Sequence, residues 1–192
     1  MDPINIIVLI NVIATFGANV TGAKSGLKST VAEIKEKPKT FLQKLPPVVS
    51  TLSLIALILA AFQIGTLEYL EEYNIIRYIG LAVYLIFSWI QVWSFKSLGD
   101  NYSQDIMIKK KHELVIKGPF KVVRHPQYFC QILVDIGGTM ATLSYVLSGF
   151  ALIEIPIYIM RASVEDKLLA KYFGDEFTQY KKKSGFFFPF IG

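Results

Sequence analysis

Residues 126–160 read PQYFCQILVDIGGTMATLSYVLSGFALIEIPIYIM, and how this stretch crosses a membrane decides the fold. As helix, its length reaches about 52 Å, whereas two full crossings of the hydrocarbon core need about 60 Å. A single very long span would carry the terminal run Lys181, Lys182 and Lys183 to the side opposite the other basic segments, against the positive-inside bias. The stretch is therefore read as a tight hairpin that turns near Ser144 to Ser148. Its helices must be short, or must run past the hydrophobic limits into the flanking sequence.

The rest of the chain supports a membrane setting. Hydrophobic residues make up 53% of 192 residues and the mean hydropathy is +0.44, too apolar for an ordinary soluble domain. No charge interrupts Pro3 to Ala23 or Leu45 to Leu67, each long enough to span as a helix. A third span runs from about Ile75 to Phe95, with Arg77 near one end, where a long side chain is expected to snorkel to the interface. Trp89 and Trp93 lie toward its other end.

Nineteen of the twenty Lys and Arg residues fall in three polar segments, Lys24 to Lys44, Lys96 to Arg124 and Arg161 to Lys183, and Arg77 is the exception. This distribution predicts an all-α integral membrane protein of about five transmembrane helices, with a cytosolic motif loop and a C-terminal amphipathic helix. The N-terminus is outside, the C-terminus is cytosolic, and Glu68, Glu71 and Glu72 lie on the outer face. The chain reads as a single domain over 1–192. Its first span opens with Asp2 in place of a basic n-region and is read as a span, not a cleavable signal. A lone cysteine, Cys130, excludes an intrachain disulfide, and the pI of 9.2 is explained by the topology without nucleic acid.

The residues with chemical potential sit in the second and third basic segments. Both histidines are there, in His112-Glu113-Leu114-Val115 and in Arg124-His125-Pro126-Gln127-Tyr128, with Gly118-Pro119-Phe120 between them as a turn. Pro126 biases His125 away from helix and opens the next helix at its first turn. After the hairpin, Arg161 and Glu165 are four residues apart and share a helix face, over a stripe of Leu168, Leu169, Tyr172 and Phe173 that ends at Gly174. A cation and a carboxylate at a membrane helix mouth suit the two ends of a charged ligand.

Each element also has a plainer reading. His112 in a lysine-rich loop is ordinarily solvated, Arg161 with Glu165 is ordinarily a surface pair contributing about 0.3–0.5 kcal/mol, and Lys109 to Lys111 ordinarily contact lipid headgroups. His112, His125 and Cys130 lack the paired spacing of a zinc site, so no metal is expected. Asp135 and Glu154, charged residues inside the hairpin, are functional candidates by default.

Taken in order, the run His-x-Leu-Val, Gly-Pro-Phe, Arg-His-Pro-x-Tyr, a hydrophobic hairpin, Arg-x-x-x-Glu and Phe-Gly-Asp-Glu-Phe-x-x-Tyr resembles the isoprenylcysteine carboxyl methyltransferase family. The matching region covers roughly Ser97 to Ile191, and the five-span layout resembles the short prokaryotic members. The resemblance implies S-adenosylmethionine as methyl donor, with S-adenosylhomocysteine as product, in a cytosol-facing pocket. It implies that His112, Glu113, Leu114, Val115, Phe120, His125, Pro126, Gln127, Tyr128 and Glu165 line that pocket, that Gln104 or Asp105 supplies an upstream polar contact, and that Arg161 orients the acceptor. Phe120 stands where the family often has Tyr. Cys130 stands where it often has Gly, and is still small enough for close helix approach.

The expected partners are membrane lipids and a lipophilic or lipidated acceptor entering from the bilayer, with the carboxylate of a prenyl-cysteine-like lipid leading. An ionised carboxylate needs no base, whereas a lipid amine, the alternative acceptor, does. The sterol reductases of the same superfamily are longer, with more spans. A non-catalytic scaffold or small transporter, in which the polar loop only binds headgroups, is the reading from a different class.

Overall fold

The structure is a computed structural model and describes residues 2–29, 34–189 and 191, with the backbone alone over 19–29. Lys24 and Lys28, in the first basic segment, therefore lie outside the described side chains. Five long helices follow one another: α1 (Pro3–Ser29), α2 (Leu45–Ala61), α3 (Asn74–Leu98), α4 (Pro126–Thr142) and α5 (Tyr145–Phe173). A short α6 (Asp175–Lys183) closes the described chain, and β1 (Ile34–Glu36) pairs antiparallel with β2 (Ile108–Lys109). Three segments, Phe41–Ala61, Glu71–Asn101 and Tyr145–Phe173, are long and apolar enough to cross a membrane on length and composition, and Pro3–Ala18 is a shorter apolar stretch. The chain is an integral membrane protein.

The hairpin is present. Prolines sit in the first turns of α2 and α4, where the missing N–H costs nothing. Leu143, left-handed at φ 52°, ends α4, and the Ser144 side chain caps α5 by accepting from the Leu147 N–H at 3.1 Å. The turn thus lies at the start of the expected interval. The length deficit is resolved asymmetrically. α4 stays at 17 residues, while α5 runs 29 residues without a break through the expected amphipathic segment as far as Gly174.

Close packing of α3 on α4 is set by glycine. A Cβ on Gly137 would lie 2.6 Å from the Tyr84 backbone nitrogen, and one on Gly80 would lie 2.5 Å from the Ala141 nitrogen. Small residues let membrane helices approach to backbone contact. Cys130 is buried, but the close contact belongs to Gly137, two turns further along α4, and to Gly80 opposite Ala141.

Arg77 departs from the expectation. It is 2% exposed and does not snorkel. Its guanidinium forks onto Asp2 at 2.6 and 3.1 Å, donates to the Ala141 carbonyl at 3.0 Å and lies over the Tyr69 ring at 3.8 Å. Asn5 donates to the Ala61 carbonyl and Tyr69 to the Thr142 carbonyl, so one polar knot joins the first four long helices at this end. A buried cation is tolerable there because every neighbour is an acceptor or an aromatic face.

The three basic segments meet at the other end. Ile34 pairs with Lys109, the Gln43 side chain bonds both the N–H and the carbonyl of Ile106 at 2.8 and 2.9 Å, and Lys171 reaches Glu36 at 2.7 Å. Lys109 is buried and donates to the carbonyls of Asp100 and Tyr102 at 2.6 and 2.7 Å, so it is a loop strut instead of a headgroup contact.

Gly137→Ala gains up to about 1 kcal/mol of helix propensity but drives a methyl into immovable backbone, where overpacking costs about 1–3 kcal/mol. The expected outcome is net destabilisation, read as a lower unfolding midpoint in detergent. A midpoint unchanged or raised would refute the backbone-contact seam.

Candidate active site

Backbone geometry brings the motifs together. The residues Gly118–Lys121 form a single 3-10 turn entered through Gly118 at φ 59°, where an added Cβ would strike the Ser97 Oγ at 2.6 Å, so the turn seats directly on α3. Gly185 then bridges to Val123 in parallel, the Arg124 N–H donates to the Gly185 carbonyl at 2.8 Å and the His125 N–H to the Phe186 carbonyl at 3.3 Å. The segment after α6 thus straps the motif loop to the start of α4.

His125 is the hub. Its Nε2 lies 2.7 Å from the Asp166 Oδ1, and its Nδ1 lies 3.6 Å from the Glu165 Oε2, a charge contact too long for a hydrogen bond. Asp166 also takes a 3.2 Å bond from the Arg124 Nε, and Arg124 donates to the Ser184 carbonyl at 2.6 Å. The His125 ring stacks on Tyr128 at 5.9 Å, and Tyr128 stacks on Tyr158 at 5.2 Å. The Tyr128 hydroxyl donates to Glu165 and receives the Arg161 Nε–H at 2.7 Å. Arg161 is 4% exposed and also donates to the carbonyls of Leu42 at 3.0 Å and Gln104 at 2.5 Å. It is therefore no surface pair. Of its five N–H donors, three are held by the described residues.

Two cavities adjoin this network. One, of about 120 Å³, lies between the motif loop, α4 and the end of α5. Asp105, His112, Glu113, Leu114, Val115 and Phe120 line it from the loop, and His125, Pro126, Gln127, Tyr128 and Glu165 line the opposite side. The second, of about 360 Å³, lies inside the helix bundle and is lined by Gln104 and Arg161 together with residues of α1 to α5. Of the thirteen residues singled out in the sequence, eleven therefore share the first cavity, and Gln104 and Arg161 face the second. Ser103, Gln127 and Tyr128 line both and form the wall between them.

Among the described residues, two buried polar atoms at the first cavity, the His112 Nδ1 and the Gln127 Nε2, have no hydrogen-bond partner, although buried polar groups are rarely left unpaired. With the carboxylates of Glu165 and Asp105 and the aromatic rings of Tyr128 and Phe120, the donor set suits a ligand carrying both cationic and anionic groups. Sequence reasoning missed Arg124 and Asp166, which hold His125. Both were adjacent to named residues, but nothing in the spacing marked them as partners across 42 positions.

The two histidines titrate in opposite directions. Burial presses the His125 pKa down, but Asp166 and Glu165 outweigh it and raise it above 6.5. For His112, burial lowers the pKa, the Lys109 charge lowers it further, and Glu165 opposes without prevailing. The His125 charge thus contributes stability that is complete below about pH 6.5 and is lost as pH rises through its raised folded value. Neutral His112 contributes above about pH 6.5 and loses that contribution as pH falls through its lowered folded value. With only two histidines in the chain, ring NMR should resolve both titrations, His125 above 6.5 and His112 below. Asp166→Asn should bring the His125 value down. The reverse order, or no response to Asp166→Asn, would refute the carboxylate clamp.

The comparisons with known proteins bear on the family and the fold. Residues 75–176 match the family model described as phospholipid methyltransferase, and those 102 residues are more than half of the 192. A probable protein-S-isoprenylcysteine O-methyltransferase of Oryza sativa is 29% identical over 126 residues, which cover 64% of this chain and 65% of that protein. The cobalt-zinc-cadmium resistance protein CzcN of Cupriavidus metallidurans is 35% identical over 82 residues, 42% of this chain and 38% of that protein. The solved structure of a eukaryotic intramembrane Ras methyltransferase, isoprenylcysteine carboxyl methyltransferase, superposes with a TM-score of 0.58 at 18% identity, over 76% of this chain and 52% of that one. The chain thus spans under two thirds of the length of each of these proteins, and the resemblance read from its motifs is borne out.

Proposed function

This chain belongs to the phospholipid methyltransferase family, and we propose that it is an S-adenosylmethionine-dependent methyltransferase acting on the carboxylate of a lipophilic acceptor drawn from the bilayer, a prenyl-cysteine-like or related lipid. One observation carries the reading. A cavity at the polar end of the bundle, lined by charged and aromatic groups with two unpaired polar atoms, meets a cavity within the membrane helices across a shared wall.

When bound, S-adenosylmethionine supplies an electrophilic methyl group on a sulfonium cation. The chain's own residues do the rest. Glu165, fixed by Tyr128 and Arg161, presents a carboxylate to the first cavity. His112 and Gln127 offer their unpaired atoms to polar edges of the donor. Arg161 lines the second cavity with two N–H groups that have no partner among the described residues, and it orients an acceptor carboxylate there. A carboxylate is already ionised, so no side chain need remove a proton. The contribution of the protein is positioning and exclusion of water, for which the buried Phe120 and Phe177 form part of the lining. The basic end of the bundle is taken as cytosolic, which places the donor cavity where the cofactor is dissolved.

In a background lacking Cys130, single cysteines at positions 35 and 182 should label from the cytosolic side and one at position 71 from outside. Labelling of position 182 from outside would break the hairpin assignment and, with it, the shared pocket.

Calorimetry of the solubilised protein should detect S-adenosylmethionine and not NADPH. Glu165→Gln should weaken the donor by about 1.5–3 kcal/mol. Arg161→Lys keeps the charge and loses the planar fork, and should lower turnover on a prenyl thioether carboxylate by about 10- to 1000-fold with donor affinity little changed. Wild-type donor binding in Glu165→Gln together with wild-type turnover in Arg161→Lys would overturn the assignment.

A further inference from the structure

The inner cavity is built for more than a hydrocarbon chain. Gln127, Gln131 and Asp135 occupy successive turns of α4 and all line it. Gln91 on α3 donates to the Gln131 Oε1 at 2.8 Å, and Gln131 donates to the Asp135 Oδ2 at 2.8 Å. From α2 and α5, Ser50 and Tyr158 face the same space, their hydroxyls 2.5 Å apart. The stripe ends on a pair of carboxyls, since Glu154 of α5 meets Asp135, and the two are 0% and 2% exposed. Among the described residues neither Glu154 carboxyl oxygen finds a well-formed hydrogen bond, and Ser53 lies beside the pair. Phe16 and Leu54, exposed on the outside of the bundle, belong to the lining, so the cavity reaches the lipid-facing surface between α1 and α2.

A plain prenyl or acyl chain in this space would strip water from the stripe and return no hydrogen bond, at about 1–3 kcal/mol for each group left unpaired. Ionisable groups inside a membrane persist where they meet a ligand or line its path. Tyr128 and Asp135 are seven residues apart, and so are Glu154 and Arg161. On either helix that is two turns, about 10 Å, on nearly the same face. The two ends of the cavity therefore differ in kind, with Arg161 at the wall shared with the donor cavity and the carboxyl pair deeper in the bundle.

We infer that the acceptor carries a hydrogen-bond-donating group, a hydroxyl or an amine, about 10 Å into the bilayer from its methyl-accepting carboxylate, and that Asp135 receives that group and sets acceptor specificity. This rests on the methyltransferase reading above and narrows its substrate class. Asp135 makes no contact with the donor cavity and takes no part in methyl transfer.

The test uses three synthetic carboxylate amphiphiles of equal length, with a hydroxyl, an amine or a methyl group at the 10 Å position. Methyl transfer and thermal shift are measured for each in nanodisc-reconstituted protein. Wild type should favour the hydroxyl or amine chain over the methyl chain at least about 10-fold in kcat/KM, a difference of about 1.4 kcal/mol. Asp135→Leu should abolish or reverse that preference with S-adenosylmethionine affinity unchanged. Asp135→Asn, which keeps the Gln131 contact and the side-chain volume, should retain a preference for hydroxyl but lose one for amine, identifying which group is received. Equal or better use of the methyl chain by wild type, in both turnover and thermal shift, would overturn the inference and leave the methyltransferase reading intact. A thermal-shift preference that depends on Asp135, with no methylation of any chain, would uphold the site and overturn the activity.

Discussion

His125, enclosed by Asp166 and Glu165, is the contact on which the rest of the polar end depends. A histidine this deeply buried would lose its charge to desolvation unless paired, and two carboxylates from one turn of α5 supply the pairing. The consequences run outward. Holding His125 at the first turn of α4 fixes Tyr128 against Glu165 and Arg161. Asp166 in turn holds Arg124, whose second hand on the Ser184 carbonyl draws the last strap of chain over the loop. Removing one member would strand the others as buried charges, which is costlier than never having placed them there.

The opposite end is organised by the same rule with different residues. Arg77 forks onto Asp2 and caps the α4 carbonyl of Ala141, so the first residues of α1 and α3 are tied to the last turn of α4. Between the two ends, the crossing of α3 and α4 is held by backbone contact at Gly80 and Gly137. In hydrocarbon, apolar side chains gain little by leaving lipid for each other. Polar knots at the ends, small residues in the middle and cross-helix bonds such as Gln91 to Gln131 thus hold the five helices together, and the gap they leave among α1 to α5 is the inner cavity.

The hairpin, the gathering of the basic segments and the cap at Gly174 were legible because each follows from length, charge and local residue type. The convergence of His112, His125 and Glu165 on one cavity was legible only through the motif order. What escaped was pairing between distant positions. Arg77 near a span end reads locally as a snorkelling cation, and its partner Asp2 lies 75 residues away. Lys109 reads as one of three equivalent lysines until the loop folds its amine onto two carbonyls. Gln104 and Asp105, adjacent in sequence, line different cavities because the loop bends between them. Asp135 and Glu154 were visible as anomalies, but their meeting depends on the hairpin register, which periodicity does not specify.

The asymmetry of the hairpin is what holds the polar-end cavity in register with the cavity inside the bundle. At 29 residues α5 is about 44 Å long, some 14 Å more than a hydrocarbon core requires. Beyond Pro156 the helix runs on without another proline, so Glu165 and Asp166 stand at fixed height and angle relative to Arg161 one turn below them. A flexible joint after Met160 would have let the polar cavity drift against the membrane cavity. Because none is present, the wall of Ser103, Gln127 and Tyr128 can be thin. The transfer proposed above requires that separation to be small and fixed, and the run of α5 from Arg161 to Phe173 contributes to setting it.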